Sequence, residues 1–256
     1  MSIRVDIGWL LATGLLSLRV AAATMLAPVF GPAQIPGTAR VLLTLALSAM
    51  LVAALPAAAA PAINSVPGLT AAALGELIIG AGLSFGFLTA YAATQVAGRV
   101  LDIQIGFGVA TVLNPAVQGF GSLLGSAFGM IAVAAFLGMN GHHVLIQALA
   151  LSAHNVPPGS VSYALDWAAV FKHSGVMFTF GAALAAPVML ALLLTDVAMA
   201  VLARSMPLLN VFVLSFSVKI VLGLTGLAAS IKLAEPLLRA LYGTTFEYWE
   251  RAASVP

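Results

Sequence analysis

Six long apolar runs, almost free of charge, fill this chain of 256 residues, and a polar, glycine-rich strip at 99–125 separates the third from the fourth. In the hydrocarbon core of a bilayer every backbone N–H and C=O must be paired within the protein, so such a strip is either buried in protein or faces a water-filled path. The runs cover 7–29, 41–60, 69–98, 122–151, 174–203 and 211–233. At 1.5 Å rise per residue, about 20 residues suffice to cross a ~30 Å core. Charged residues make up only 7% of the chain and apolar ones 62%. A water-soluble globule, with a charged share near ~25%, has far more polar surface to expose. The expectation is an all-α, multi-pass membrane helix bundle that forms one domain over 1–256, with a loop between its third and fourth helices.

Proline marks the joints. Pro28, Pro32 and Pro36-Gly37 form a stiff turn, Pro56 and Pro61 close the second run, Pro67-Gly68 opens the third, and Pro207 separates the fifth from the sixth. Proline lacks the N–H donor and clashes with the preceding turn, so a helix ends or kinks there. Beyond the sixth run, residues 236–256 mix Leu237, Leu238, Leu241, Tyr242, Phe246, Tyr248 and Trp249 with Arg239, Glu247, Glu250 and Arg251. This amphipathic tail is expected at the membrane interface or against a partner.

Cysteine is absent, which excludes disulfides, thiolate chemistry and sulfur-based metal sites. Charges are scattered singly, and no basic run points to nucleic acid. His142 and His143 are adjacent and diverge by about 100° on a helix, while His154 and His173 fall in a polar loop expected to face water. That spacing argues against a haem or metal site. No serine stands in a nucleophile-elbow pattern and no aspartates face each other across helices, so no enzyme and no cofactor are expected.

Two patterns speak of helix association. Gly82, Gly86, Ala90, Thr94 and Gly98 recur every four residues, as do Gly121, Gly125 and Gly129. Such stripes of small side chains let helix backbones approach closely. Charges inside the apolar runs cost on the order of 2.5 to 3.5 kcal/mol each at mid-membrane, so Arg19, Glu76, Asp196 and Lys219 need partners. They form either ion pairs and subunit contacts or a proton or ion relay. Arg99 and Asp102, three apart, are placed to pair where the third helix ends. Asp196 and Arg204 are two turns apart and must find different neighbours.

The strip itself carries Asp102, Gln104, Gly106, Phe107 and Gly108, then Asn114-Pro115, then Gln118, Gly119, Phe120 and Gly121. Glycine permits positive φ and Asn-Pro enforces a turn, while the apolar side chains between them keep the strip greasy. It fits an ordinary packed loop, and it fits a plug, since a hydrophobic constriction seals against ions by dewetting.

At these residues the chain resembles the FliR/SctT family of the flagellar and virulence type III export apparatus, and it lies nearer the flagellar branch. The resemblance rests on Arg19 with Ala27-Pro28-Val29-Phe30-Gly31 and Ile35-Pro36 before Arg40; on Glu76-Leu77-Ile78-Ile79-Gly80; and on Gln95-Val96-Ala97-Gly98 leading to Asp102 and Gly106. It continues through Asn140-Gly141-His142-His143, Ala186-Pro187 followed by Asp196, and Arg204-Ser205-Met206-Pro207-Leu208-Leu209-Asn210 running on to Lys219. The resemblance implies an inner-membrane subunit of an export gate, built with FliP-type and FliQ-type subunits beside FlhB-type and FlhA-type proteins. It implies passage of unfolded flagellar proteins, helices bent into hairpins, and the glycine-rich strip as the plug. This chain departs from the family where Arg99 follows Gly98 and where Asn114 precedes Pro115, since the family usually has an acid at each place. A proton-coupled secondary transporter is the alternative, although no repeat relates the two halves.

Overall fold

The computed structural model describes residues 7–26, 36–55, 65–107, 122–160, 167–206 and 210–254. Among the described residues there are seven helices and no strand: α1 (Ile7–Met25), α2 (Gly37–Ala54), α3 (Val66–Ile105), α4 (Leu123–Gly138), α5 (Gly141–Asn155), α6 (Trp167–Ser205) and α7 (Val211–Ser254). Four of them are long and apolar enough to cross a membrane, and up to six spans result if each bent pair counts as one. The chain is an all-α, multi-pass membrane bundle.

Several boundaries differ from the sequence expectation. The second helix begins at Gly37 rather than at 41, directly after Pro36. The third opens at Val66, where Ser65 Oγ accepts the Gly68 N–H; Pro67 does no harm because first-turn N–H groups have no helical partner. It does not stop at Gly98 but runs on to Ile105, so Asp102 and Gln104 belong to a helix and not to the loop. What ends α3 is Gly106, at φ 104, whose N–H returns to the Asp102 carbonyl. That is the usual glycine closure of a helix C-terminus.

The fourth run is two helices rather than one. Asn140 adopts the left-handed conformation, with φ 57, and splits α4 from α5; asparagine tolerates this region better than most residues do. The fifth helix starts at Trp167, seven residues ahead of the expected 174. The sixth does not end at 233. With Pro236 inside it and a bend between Ala229 and Ala234, it continues as α7 through the supposed tail.

The chain divides into two compact units. The first comprises 1–89, 139–173 and 244–256, and the second 90–138 and 174–243. In the first unit the buried apolar residues include Leu16 and Val20 of α1, Leu83 and Phe87 of α3, Leu149 of α5 and Trp249 of α7. In the second, α3 turns Ala90, Ala93, Ala97 and Leu101 inward, and α6 contributes Leu184, Val188 and Leu192. The alanines keep that face thin, so neighbouring helices can come close.

Outward faces are apolar as well. On α2, Leu42, Leu43 and Met50 are exposed whereas Thr44 and Ser48 are buried, their hydroxyls donating to the Arg40 and Thr44 carbonyls one turn back. Polar side chains satisfied inside and leucines outside invert the pattern of a water-soluble helix, as a lipid or subunit environment requires.

Candidate functional site

Both ends of the expected plug loop are on view, and they are fastened to each other. Ser122 Oγ–H donates to Asp102 Oδ2 at 2.5 Å, and the Leu124 N–H reaches both oxygens of the same carboxylate at 3.2 and 3.3 Å. Ser122 Oγ also accepts the Gly125 N–H at 2.8 Å. Ser122 thus caps α4 in the ordinary way, and the Asp102 carboxylate sits against the positive end of that helix. The chain that leaves α3 at Gly106 re-enters at Ser122, one hydrogen bond from the helix it left.

Close backbone packing supports this neck. A Cβ on Gly98 would run into the backbone N and Cα of Gly125, and one on Gly129 would lie 2.5 Å from Gln95 Nε2 and 2.8 Å from Tyr91 Oη. Gln95 Nε2–H donates to the Gly125 carbonyl at 2.8 Å. Side-chain-free positions on α3 and α4 therefore face each other where the loop departs. Gln104, on the last turn of α3, holds its Oε1 buried without a partner among the described residues, and Phe107 is half-buried in the turn that follows. Gly108, Asn114, Pro115, Gln118, Gly119, Phe120 and Gly121 lie outside the described residues. The expected Arg99–Asp102 pair does not form: the carboxylate is taken by α4, and Arg99 is exposed.

The intramembrane charges resolve into two pairs. In the first unit Arg19 Nε donates to Glu76 Oε2 at 2.7 Å, with side chains 0% and 2% exposed. Its Nη1 reaches Ser152 Oγ and its Nη2 the Val156 carbonyl, both at 3.0 Å. Glu76 Oε1 accepts the Gly159 N–H at 3.1 Å, where Gly159 has φ 83. Every group in this cluster is hydrogen-bonded, the condition under which a buried ion pair is tolerable. Gly80 makes the short reach possible, since a Cβ there would strike the Arg19 carbonyl.

In the second unit Lys219 Nζ meets Asp196 Oδ1 at 2.5 Å, with side chains 20% and 44% exposed. Arg204 is exposed on the last turn of α6. Asn210 starts α7, its Oδ1 accepting the Val213 N–H at 3.4 Å.

The remaining stripe glycines receive the end of α7. Tyr248 O–H donates to the Gly82 carbonyl at 2.8 Å and Trp249 Nε1–H to that of Leu83 at 2.6 Å. A Cβ on Gly86 would lie 2.7 Å from Trp249 Nε1. The supposed tail is thus the end of α7 and packs within the chain: Tyr248 and Trp249 are buried in the first unit, Leu238, Leu241 and Tyr242 are buried in the second, and the charged pairs Glu235–Arg239 and Glu247–Arg251 are exposed. His173, expected in a water-facing loop, is buried on α6; its ring stacks on Tyr248 at 4.5 Å and lies 3.4 Å from the Gly86 carbonyl. The rings of His142 and His143 lie 4.2 Å apart, and His154 is exposed at the end of α5. In the sequence Gln95 stands out only as part of the family motif and Ser122 only as the start of the fourth run, although a serine directly before an apolar run is itself a helix-start signal.

A helical membrane chain with a long glycine-rich connection clasped at its base invites comparison with known proteins. The family described as bacterial export proteins, family 1, matches residues 10–244. The chain belongs to that family. Among relatives of this export family, the flagellar biosynthetic protein FliR of Escherichia coli strain K12 is 30% identical over 90% of this chain and 87% of its own length. FliR of Bacillus subtilis strain 168 is 26% identical over 91% of each chain. The Yop proteins translocation protein T of Yersinia pestis is 30% identical over 56% of each. Proteins of this family are components of an export apparatus rather than enzymes.

Proposed function

We propose that this chain is an inner-membrane subunit of the flagellar type III export gate, that it forms part of the channel crossed by unfolded flagellar proteins, and that residues 106–121 are the stopper of that channel. The reading is supported by membership of the export family and by extensive likeness to proteins named for flagellar biosynthesis. The observation that carries the stopper is the neck. A segment whose two ends are joined through Asp102, Ser122 and Leu124 can be displaced without pulling α3 and α4 apart. Apolar residues in such a segment exclude ions by dewetting and yield to a chain that pushes through.

Exposed apolar faces on α2, α6 and α7, among them Leu42, Met50, Leu190, Leu194, Val213 and Val221, leave room for lipid and for neighbouring subunits. FliP-type and FliQ-type proteins fill that place in this reading, with FlhB-type and FlhA-type proteins further out. The glycines Gly82, Gly86, Gly98, Gly125 and Gly129 hold the chain's own helices together. Arg19, Glu76, Asp196, Arg204, Asn210 and Lys219 serve folding and assembly rather than proton relay, because both acids already have cationic partners. A virulence secretion role is the second reading, favoured by the likeness to translocation protein T, which spans a smaller share of the chain.

Deleting Gly106 to Gly119 tests the stopper. The shortened chain should still co-purify with FliP-type and FliQ-type subunits and should raise the ion conductance of the membrane. An assembled deletion variant with parental conductance would overturn the proposal.

A further inference from the structure

The exit from α3 is held from a second direction. A Cβ on Gly106 would lie 2.5 Å from Cε2 and 3.0 Å from Cδ2 of Phe216, so the ring rests on the glycine's bare Cα. Two turns further along α7, a Cβ on Gly223 would lie 2.5 Å from Cδ1 and 2.6 Å from Cγ1 of Ile105, a residue with no exposed surface. Residues seven apart share one helix face. That face of α7 therefore offers a knob, Phe216, to the glycine of α3, and a notch, Gly223, to its last isoleucine. Lys219, between the two, is tied to Asp196 of α6. Gly226, three residues past the notch, approaches Val188 of α6, where a Cβ would lie 3.6 Å from Cγ1. The knob and the notch are thus delivered by a stretch of α7 that α6 holds in place.

Gly106 makes the arrangement sensitive. Its positive φ sets the direction in which the chain departs, and no other residue takes that conformation without strain. Phe216 fills the space a side chain would need, so ring and φ are coupled: the backbone at Gly106 cannot re-orient while the ring stays seated. Phe216 itself is 38% exposed, free on one side to swing away.

We propose that Phe216 on Gly106 and Ile105 in the notch at Gly223 form a catch by which α7 holds the base of the stopper closed, and that this catch must release for export. The proposal rests on the stopper reading above and adds what regulates it. Phe216 is a positioning residue, acting through Gly106.

The chain has no native cysteine, which makes a disulfide test clean. Ile105 Cγ1 is one bond from its Cβ, so cysteines at 105 and 223 would have their Cβ atoms about 4 Å apart, inside the range a disulfide needs. In membranes holding the assembled gate, oxidation of the Ile105→Cys/Gly223→Cys variant should form the bond and stop substrate export, and reduction should restore it. Failure of the bond to form, or export continuing through the oxidised protein, overturns the catch. Independently, Phe216→Ala should leave the complex assembled and raise its resting ion leak about fivefold, as expected when one of two states loses a packing contact.

A fall in complex yield with unchanged leak per complex would mean that Phe216 only stabilises the fold. The Gly106 to Gly119 deletion run alongside separates the two ideas. If it fails to leak, the stopper itself is wrong; if it leaks and Phe216→Ala does not, the stopper stands and the catch falls.

Discussion

Glu76 and Asp102 are both carboxylates buried to within a few per cent, and both fasten a returning stretch of chain through a backbone N–H, yet they are balanced differently. Glu76 has a buried arginine against it, and that arginine also bonds Ser152 and the Val156 carbonyl. Among the described residues, Asp102 has the Ser122 hydroxyl and the start of α4 as its partners. The first is a rivet through α1, α3 and the turn after α5, in which no member can leave without stranding another. The second is a clasp, made of fewer bonds and a helix-end field. Under the proposed function, in which the subunit stays assembled while the stopper is displaced, a rivet in one unit and a clasp in the other serve those two needs.

The rivet is the place to look for the largest effect. Glu76→Ala leaves the Arg19 guanidinium buried and unpaired, a change that costs about 3 to 5 kcal/mol. Thermal denaturation of the detergent-solubilised protein should show loss of the folded form. Replacing both partners with methionine should recover only part of the loss, since the Ser152 hydroxyl, the Val156 carbonyl and the Gly159 N–H would still lack partners. Full recovery would mean that the network adds nothing beyond the pair.

Breaking the clasp should be gentler and more local. Asp102→Ala removes the acceptor for Ser122 and Leu124, leaving Ser122 to cap α4 alone, at a cost of about 1 to 3 kcal/mol. Hydrogen exchange should show faster opening at Leu124 and Gly125, with the amides around Glu76 unchanged. If exchange rises equally at Glu76, the two units do not open separately and the comparison fails.

The bundle was legible because length and lack of charge alone dictate apolar helices. The ends of the helices were not, because distant partners set them. Gly98 read as a terminus, but its bare Cα serves to admit the backbone of Gly125, and the helix continues to the next glycine, where φ does turn positive. Asn140-Gly141 carries a turn signal, set inside a long apolar run. In the C-terminal stretch the sequence shows apolar and charged residues side by side but not what the apolar ones pack against. Leu238, Leu241, Tyr242, Thr245, Tyr248 and Trp249 fall at helical spacing and are buried in the chain itself. His173 looked like a loop residue between Lys172 and Ser174; the ring that stacks on it, Tyr248, lies far down the chain and leaves no local trace. Of the loop, sequence supplied the glycines, but not the neck, since the Asp102–Ser122 bond joins the two sides of the segment it closes.

The smallest effect belongs to the second ion pair, and it sharpens the contrast with the first. Among the described residues, Asp196 and Lys219 make no side-chain polar contact except with each other, and Asp196 is 44% exposed. Neutralising both at once, as Asp196→Asn with Lys219→Met, removes the attraction and the cost of holding two charges at a half-buried site together. Nothing else is left stranded, so stability should stay within about 1 kcal/mol of the parent, the scale of exposed pairs. Lys219→Met alone should do more harm than the double change, because it leaves Asp196 unpaired in an apolar stretch. The order single worse than double, measured as a double-mutant cycle by thermal denaturation, is what a pair without a surrounding network must give. Were the double variant to lose as much as Glu76→Ala, Asp196 and Lys219 would be bonded to something further, and the partly exposed face of α6 and α7 would have to be covered by a neighbouring subunit that supplies it.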